Sequence, residues 1–156
     1  MNCPSLSIIS TDIRSVLPKL YTIHGLLYTS SPGVVALTRT WLTSAVCNSE
    51  LIPCFTNYCL FRADRNTKRG GGVLLAARKS LCPNILDIDT NIETMWISIA
   101  QTHPLCVIGV CYKPPDTCDT FIQALHDELS HTSNNFSSSR VILLGYFTTQ
   151  VLIGIL

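Results

Sequence analysis

The densest chemistry in this sequence is a basic cluster, Arg62, Arg65, Lys68 and Arg69, running directly into Gly70-Gly71-Gly72. Such a cluster can lie along the phosphate backbone of a nucleic acid, or it can be the solvated tip of a hairpin. The glycines do not make a P-loop: no Gly-Lys-Ser/Thr ending follows them, and the next segment, Val73-Leu74-Leu75-Ala76-Ala77, reads as a strand and not a helix. They fit a flexible or bulged turn. The eight cysteines, at 3, 47, 54, 59, 82, 106, 111 and 118, include no Cys-x-x-Cys pair. Neither they nor His24, His103, His126 and His131 have the ligand spacing of a zinc knuckle, so buried or tolerated thiols are expected. His126-Asp127-Glu128 lacks the two-histidine spacing of a metalloprotease and reads as an exposed helix face. Asn135-Phe136-Ser137 matches a glycosylation acceptor, but no secretory signal accompanies it. Trp41 and Trp96 read as core anchors, and Tyr112 as a strand-terminal aromatic against Pro114 and Pro115 unless it serves a site.

The elements that must position these groups follow from the apolar pattern. Leu6 to Thr11 fits a first strand, ending at Asp12-Ile13-Arg14-Ser15. Val16, Leu17, Leu20, Ile23, Leu26 and Leu27 recur at helical steps. Ser30 to Gly33 is a turn, and Val34 to Thr38 a buried strand ending at Arg39-Thr40-Trp41-Leu42, which gives a β-α-β start. Residues 43–57 read as loop with one helical turn at most. Tyr58 to Phe61 and Val73 to Ala77 flank the basic cluster as a hairpin, and Met95 to Ile99 and Leu105 to Tyr112 are further strands stopped by Lys113-Pro114-Pro115. Asp119 to Leu129 is a helix with Phe121, Ile122, Leu125 and Leu129 on one face; Asn134 to Ser139 is a polar loop. Val141 to Leu144 is a last strand, with Gly145-Tyr146-Phe147-Thr148 at its end. Strands that deliver polar residues at one end, joined by helices and hairpins, predict a mixed α/β sandwich.

Composition bounds the partners. The chain has 156 residues, 47% hydrophobic and 13% charged, with a net charge of +1, enough apolar content for a core and too little net charge for a strongly basic nucleic-acid arm. The mean hydropathy of +0.33 and low charge predict poor solubility in isolation. No stretch reaches the length of a membrane span, and Asp12 and Arg14 interrupt the first apolar run before a signal-peptide core can form, so an intracellular protein without a membrane partner is expected.

The order of these pieces resembles the endonuclease/exonuclease/phosphatase domain of non-LTR (LINE-like) retrotransposon polyproteins, in the abasic-endonuclease and DNase I superfamily. The matching segments are Ile13-Arg14-Ser15, Ala36 to Leu42, Phe61 to Arg65, Gly70-Gly71-Gly72-Val73, Glu93 with Trp96, Tyr112 to Pro115, and Leu143 to Thr148. They cover roughly residues 6 to 150 of a single partial domain spanning 1–156, with 151–156 an unmatched apolar tail. The resemblance implies a two-layer sandwich of mixed β-sheets flanked by helices, Mg²⁺ as cofactor, DNA as partner and the nucleus as location. It also implies a phosphodiester-cleaving site at one end of the sheets, where carboxylates hold the ion and neutral or cationic donors meet the phosphate.

Carried over by position, the resemblance sets catalytic remnants at Tyr112 and Asp12, the latter where the family has Asn. A metal-binding Glu is replaced by Arg39, and an Asp and an Asn by Tyr146 and Thr148. The family's later Ser-Asp-His segment has no counterpart before Leu156. Arg39 removes a ligand and repels the ion, so no intact metal site and no cleavage are expected. Arg62, Arg65, Lys68, Arg69 and Lys113 are the expected DNA contacts. The alternatives are a DNA-binding relic that does not cut, or a functionless translated pseudogene fragment in which Val151 to Leu156 must cover an open sheet or stay sticky.

Overall fold

The computed structural model describes residues 5–117, 119–147 and 154–155. Strand β1 (Ile8–Asp12) leads through a single 3-10 turn at Leu17–Lys19, with a proline in its first turn, to helix α1 (Leu20–Ser30). Ser31 then takes a left-handed conformation (φ 42°) and donates its N–H to the Leu27 carbonyl, closing the helix before Pro32-Gly33. Strand β2 (Val34–Thr38) lies parallel to β1, Asp12 opposite Thr38. The one-turn helix α2 (Asn48–Leu51) precedes the hairpin of β3 (Tyr58–Ala63) and β4 (Val73–Arg78). Strands β5 (Pro83–Leu86), β6 (Glu93–Ile99) and β7 (Cys106–Lys113), helix α3 (Asp119–Asn135), and strands β8 (Arg140–Phe147) and β9 (Gly154–Ile155) complete the order.

Two mixed sheets result, one ordered β1-β2-β4-β3 and the other β5-β6-β7-β8-β9. Strands buried on both faces read as continuous apolar runs, and β2 and β7 are such strands. Alternate residues explain the layers. Val34, Ala36, Val73, Leu75 and Ala77 of the first sheet meet Ile97, Ile99, Ile108, Val110 and Leu144 of the second. The intervening Val35, Leu37, Leu74 and Ala76 face Ile23 and Leu27 of α1 together with Leu51 and Phe55. On the far side, Cys111 packs with Phe121 and Leu125 of α3. The α/β sandwich flanked by helices that the sequence predicts is the observed architecture.

Three details differ from expectation. Strand β5 is absent from the sequence reading because its exposed Asn84 and Ile85 break the alternation of an edge strand. Helix α3 runs on to Asn135, into the predicted polar loop, and its buried face is Phe121, Leu125, Glu128 and Thr132, while Ile122 is 54% exposed. The reading of Glu128 as exposed is therefore corrected: it is buried, accepting hydrogen bonds from Thr94 Oγ1 at 2.7 Å and Trp96 Nε1 at 2.9 Å and from the Thr90 hydroxyl. These three donors solvate the carboxylate in place of water. Of the apolar tail, Gly154 and Ile155 pair antiparallel with Leu143 and Ile142; its other residues lie outside the described ones. No helix among the described residues is long and apolar enough to cross a membrane.

Candidate functional site

Register alone brings the candidate residues to one end of the sandwich. Asp12, Thr38 and Val73 are neighbours across β1, β2 and β4; Glu93, Tyr112 and Tyr146 are neighbours across β6, β7 and β8. The backbone turns sharply just beyond: Arg14, Ser15, Arg39 and Trp41 all have positive φ, between 48° and 77°. Backbone conformations of this kind are rare outside glycine and cluster where a loop is held by its surroundings. Here Ser15 N–H donates to the Arg39 carbonyl, and Trp41 N–H to that of Gly71.

Arg39 points back onto Asp12. Its Nε donates to Oδ1 at 2.6 Å and its Nη2 to Oδ2, a two-pronged guanidinium-carboxylate pair. Thr38 Oγ1 adds a donor at 3.3 Å to Oδ1, and Arg14, largely exposed, stands 3.8 Å from Oδ2. The hydrogen bond to Asp12 raises the Arg39 pKa further above its ordinary value, against a smaller opposing effect of burial. The same guanidinium lies 4.7 Å from the centre of the Tyr146 ring.

A second pair mirrors the first. Arg65 donates through Nε to Glu93 Oε1, and the Gly72 N–H donates to Oε2 at 3.0 Å. Gly71 makes room for it: a Cβ there would stand 2.4 Å from the Arg65 guanidinium carbon, and its φ of 71° already favours glycine. Arg65 lies 5.7 Å from the Tyr112 ring, and Tyr112 stacks on Tyr146 with centroids 6.4 Å apart. Tyr112 thus packs on another tyrosine. Burial raises its pKa, only partly opposed by Arg39 and Arg65.

These contacts decide what the site can hold. Both Asp12 oxygens and both Glu93 oxygens already accept hydrogen bonds from cations or backbone, and no group of three His, Cys, Asp or Glu side chains among the described residues could hold a metal ion. A hard divalent ion needs several free oxygen ligands. The residues present do not fit Mg²⁺.

The five expected DNA contacts divide. Arg62 is held by Asp64, by the Val46 and Thr43 carbonyls and by Asn48, and Arg65 by Glu93; their side chains are 10% and 12% exposed. Lys68 and Arg69 are exposed on the hairpin tip, and Lys113 is half-buried at the end of β7. Thr148 lies outside the described residues. The sequence gives Glu93 no evident partner. The signal was available in its period: Glu93, Met95, Ile97 and Ile99 alternate onto one face, which puts the carboxylate between the sheets. Trp41, expected in the core, is only half-buried, with the Arg69 guanidinium 4.9 Å from its ring centre.

No protein-family model matches the chain, and no curated protein matches its sequence. Solved structures do. The 3′ phosphatase NExo from Neisseria, bound to a product DNA hairpin, superposes with a TM-score of 0.66 at 12% identity, covering 92% of this chain and 58% of that one. An AP endonuclease from Archaeoglobus fulgidus gives 0.61 at 15% identity over 90% and 56%. The human Nocturnin catalytic domain with a bound sulfate anion gives 0.62 at 11% identity over 93% and 64%. This chain therefore spans less than two thirds of the length of each of these structures. Its fold, two mixed sheets face to face between helices, is that of the DNase I-like endonuclease/exonuclease/phosphatase nucleases.

Proposed function

We propose that this chain derives from the Mg²⁺-dependent endonuclease domain of a non-LTR retrotransposon polyprotein, and that it holds DNA without cutting it. The observation that carries this reading is Arg39 on Asp12: a permanent cation occupies the position and the oxygens through which a metal-dependent nuclease would hold its ion. Tyr146 and Tyr112 fill the rest of that end with stacked rings. Loss of one member of a catalytic unit removes most of the rate, and further losses are not additive, so no proportionate residue of activity is expected. The DNA-bound phosphatase of the same fold supports DNA as the partner, as do the exposed cations Arg14, Lys68 and Arg69 at the same end of the sandwich. The location this reading implies is the nucleus.

Two measurements test it. Supercoiled plasmid incubated with the pure chain and Mg²⁺ should stay unnicked, with and without chelator; chelator-sensitive nicking would overturn the claim of inactivity. A gel shift with duplex DNA should weaken steeply with salt, because each phosphate contact contributes a slope of about −0.9 in log K against log salt. A salt-independent shift, or none, would remove the binding claim.

A further inference from the structure

Beside the paired site is a cavity of about 330 Å³, walled by Trp41, Leu42 and Thr43 on one side and by the hairpin tip from Arg65 to Gly70 on the other. Its size falls in the range of small-ligand sites. Its wall contains no carboxylate. It presents the hydroxyls of Thr43 and Thr67, the Asn66 amide and three cations, Arg65, Lys68 and Arg69. Arg65 is paired with Glu93, but among the described residues neither Lys68 nor Arg69 has a carboxylate within ion-pair distance. The Trp41 indole N–H is buried without an acceptor. Indole can only donate, and a buried donor left unmatched is unfavourable until an acceptor arrives. A ligand suited to this wall offers oxygens and negative charge to its cations and indole N–H, which describes a phosphate group.

We propose that this cavity binds one backbone phosphodiester of a nucleic-acid strand, through the Trp41 indole N–H and the Lys68 and Arg69 cations. The assignment rests on the DNA-binding reading above and localises it. Arg69 covers the Trp41 ring in the free chain. As an exposed side chain on a hairpin tip it can swing outward, exchanging its contact with the ring for one with the phosphate and uncovering the indole. Trp41 then reports binding directly, because the other tryptophan, Trp96, is buried against Glu128 on the α3 side of the second sheet.

The test is fluorescence anisotropy of a labelled short oligothymidylate with the full chain across a salt series, read alongside intrinsic tryptophan emission. The double variant Lys68→Gln/Arg69→Gln changes only exposed side chains and should keep the wild-type circular dichroism. It should bind about tenfold more weakly, with a salt slope shallower by about 0.7, since one phosphate contact is lost and each single-strand contact contributes about that much. Trp41→Phe keeps a ring and removes the N–H. It should weaken binding several-fold at an unchanged salt slope; if it fails to fold, the double variant decides. An abasic deoxyribose-phosphate oligomer should give the same emission change as the oligothymidylate, and a response that requires bases would overturn phosphate recognition in favour of stacking. Inorganic phosphate alone saturating the signal while oligomers give none would overturn the strand as its source. If the wild type binds DNA and the double variant binds equally well with the same slope, this site is wrong and the DNA-binding reading stands. If the wild type binds no DNA, both fall together.

Discussion

A guanidinium at position 39 neutralises the Asp12 carboxylate at one end of this sandwich. With Arg39 and Arg65 each joined to a carboxylate and each lying over a tyrosine ring, the groups that could bind a cation are held by cations of the protein itself. The Arg39 and Asp12 side chains are 17% and 18% exposed, so neither is fully hydrated once the other is removed. Replacing Arg39 with Met should lower stability by about 2 kcal/mol in urea unfolding, less than for a fully buried pair because water still reaches Asp12. Asp12→Asn should cost a similar amount, and the double variant less than the sum, because the second change removes the charge that the first left unpaired. Additive losses would show that the pair contributes nothing. Titration acts in the same direction at several residues. Burial raises Tyr112 above its ordinary 10.0, Cys54 from 9.0 to about 11, and Cys106 and Cys111 upward from the same 9.0. A raised folded pKa gives stability that is full below the unfolded value and lost as pH rises through the folded one. The urea midpoint should accordingly hold to about pH 9 and fall steadily above it; a midpoint flat to pH 11 would contradict these burial effects.

At the scale of elements, β6 and β7 pack tightly at one glycine. Trp96 of β6 stands opposite Gly109 of β7, and a Cβ at Gly109 would meet the indole ring at 2.5 Å. Gly109 has no positive φ, so glycine is required there for space and not for backbone conformation. Gly109→Ala should therefore destabilise the chain by about 1–3 kcal/mol through overpacking. It should also alter the near-ultraviolet circular dichroism of Trp96, which is held at Nε1 by Glu128. An unchanged unfolding midpoint would mean that the indole shifts aside freely. Helix α3 is tied to the same strand by that carboxylate, so β6, β7 and α3 should respond together to any change at Trp96.

Taken as a whole, the molecule has its shared core between the sheets, and that core is what a cooperative transition would report. Cys106 belongs to it, and Cys111 packs on the α3 side; both are buried, whereas Cys47 and Cys82 are exposed. With a thiol reagent at neutral pH and peptide mapping, Cys47 and Cys82 should be labelled in the folded chain. Cys106 and Cys111 should be labelled only at the denaturant concentration where the near-ultraviolet signal disappears. Earlier labelling of the buried pair would mean that the sandwich opens without unfolding, as expected of a chain lacking fixed packing.

How much of this was legible in the sequence differs between the fold and the site. Apolar runs with periods of 2 and 3.6 carry strands and helices directly, which is why β2, the β3-β4 hairpin, β7 and α1 fall where the pattern puts them. That position 39 carries a permanent cation was equally plain, because residue identity is local. Partners are not local. Arg65 and Arg69 belong to one basic cluster in the sequence, yet one is tied to Glu93 across the sandwich and the other lies exposed over Trp41. Glu128 sits within a charged helical triplet but is buried, because helical rotation turns it toward Thr94 and Trp96. The sequence by itself determined most of the elements, the architecture and the presence of a cation at position 39. Only the tertiary structure decided which charges are paired and which are open to a ligand, since an ion pair depends on distances across strands far apart in the chain, and no spacing along the sequence encodes those distances.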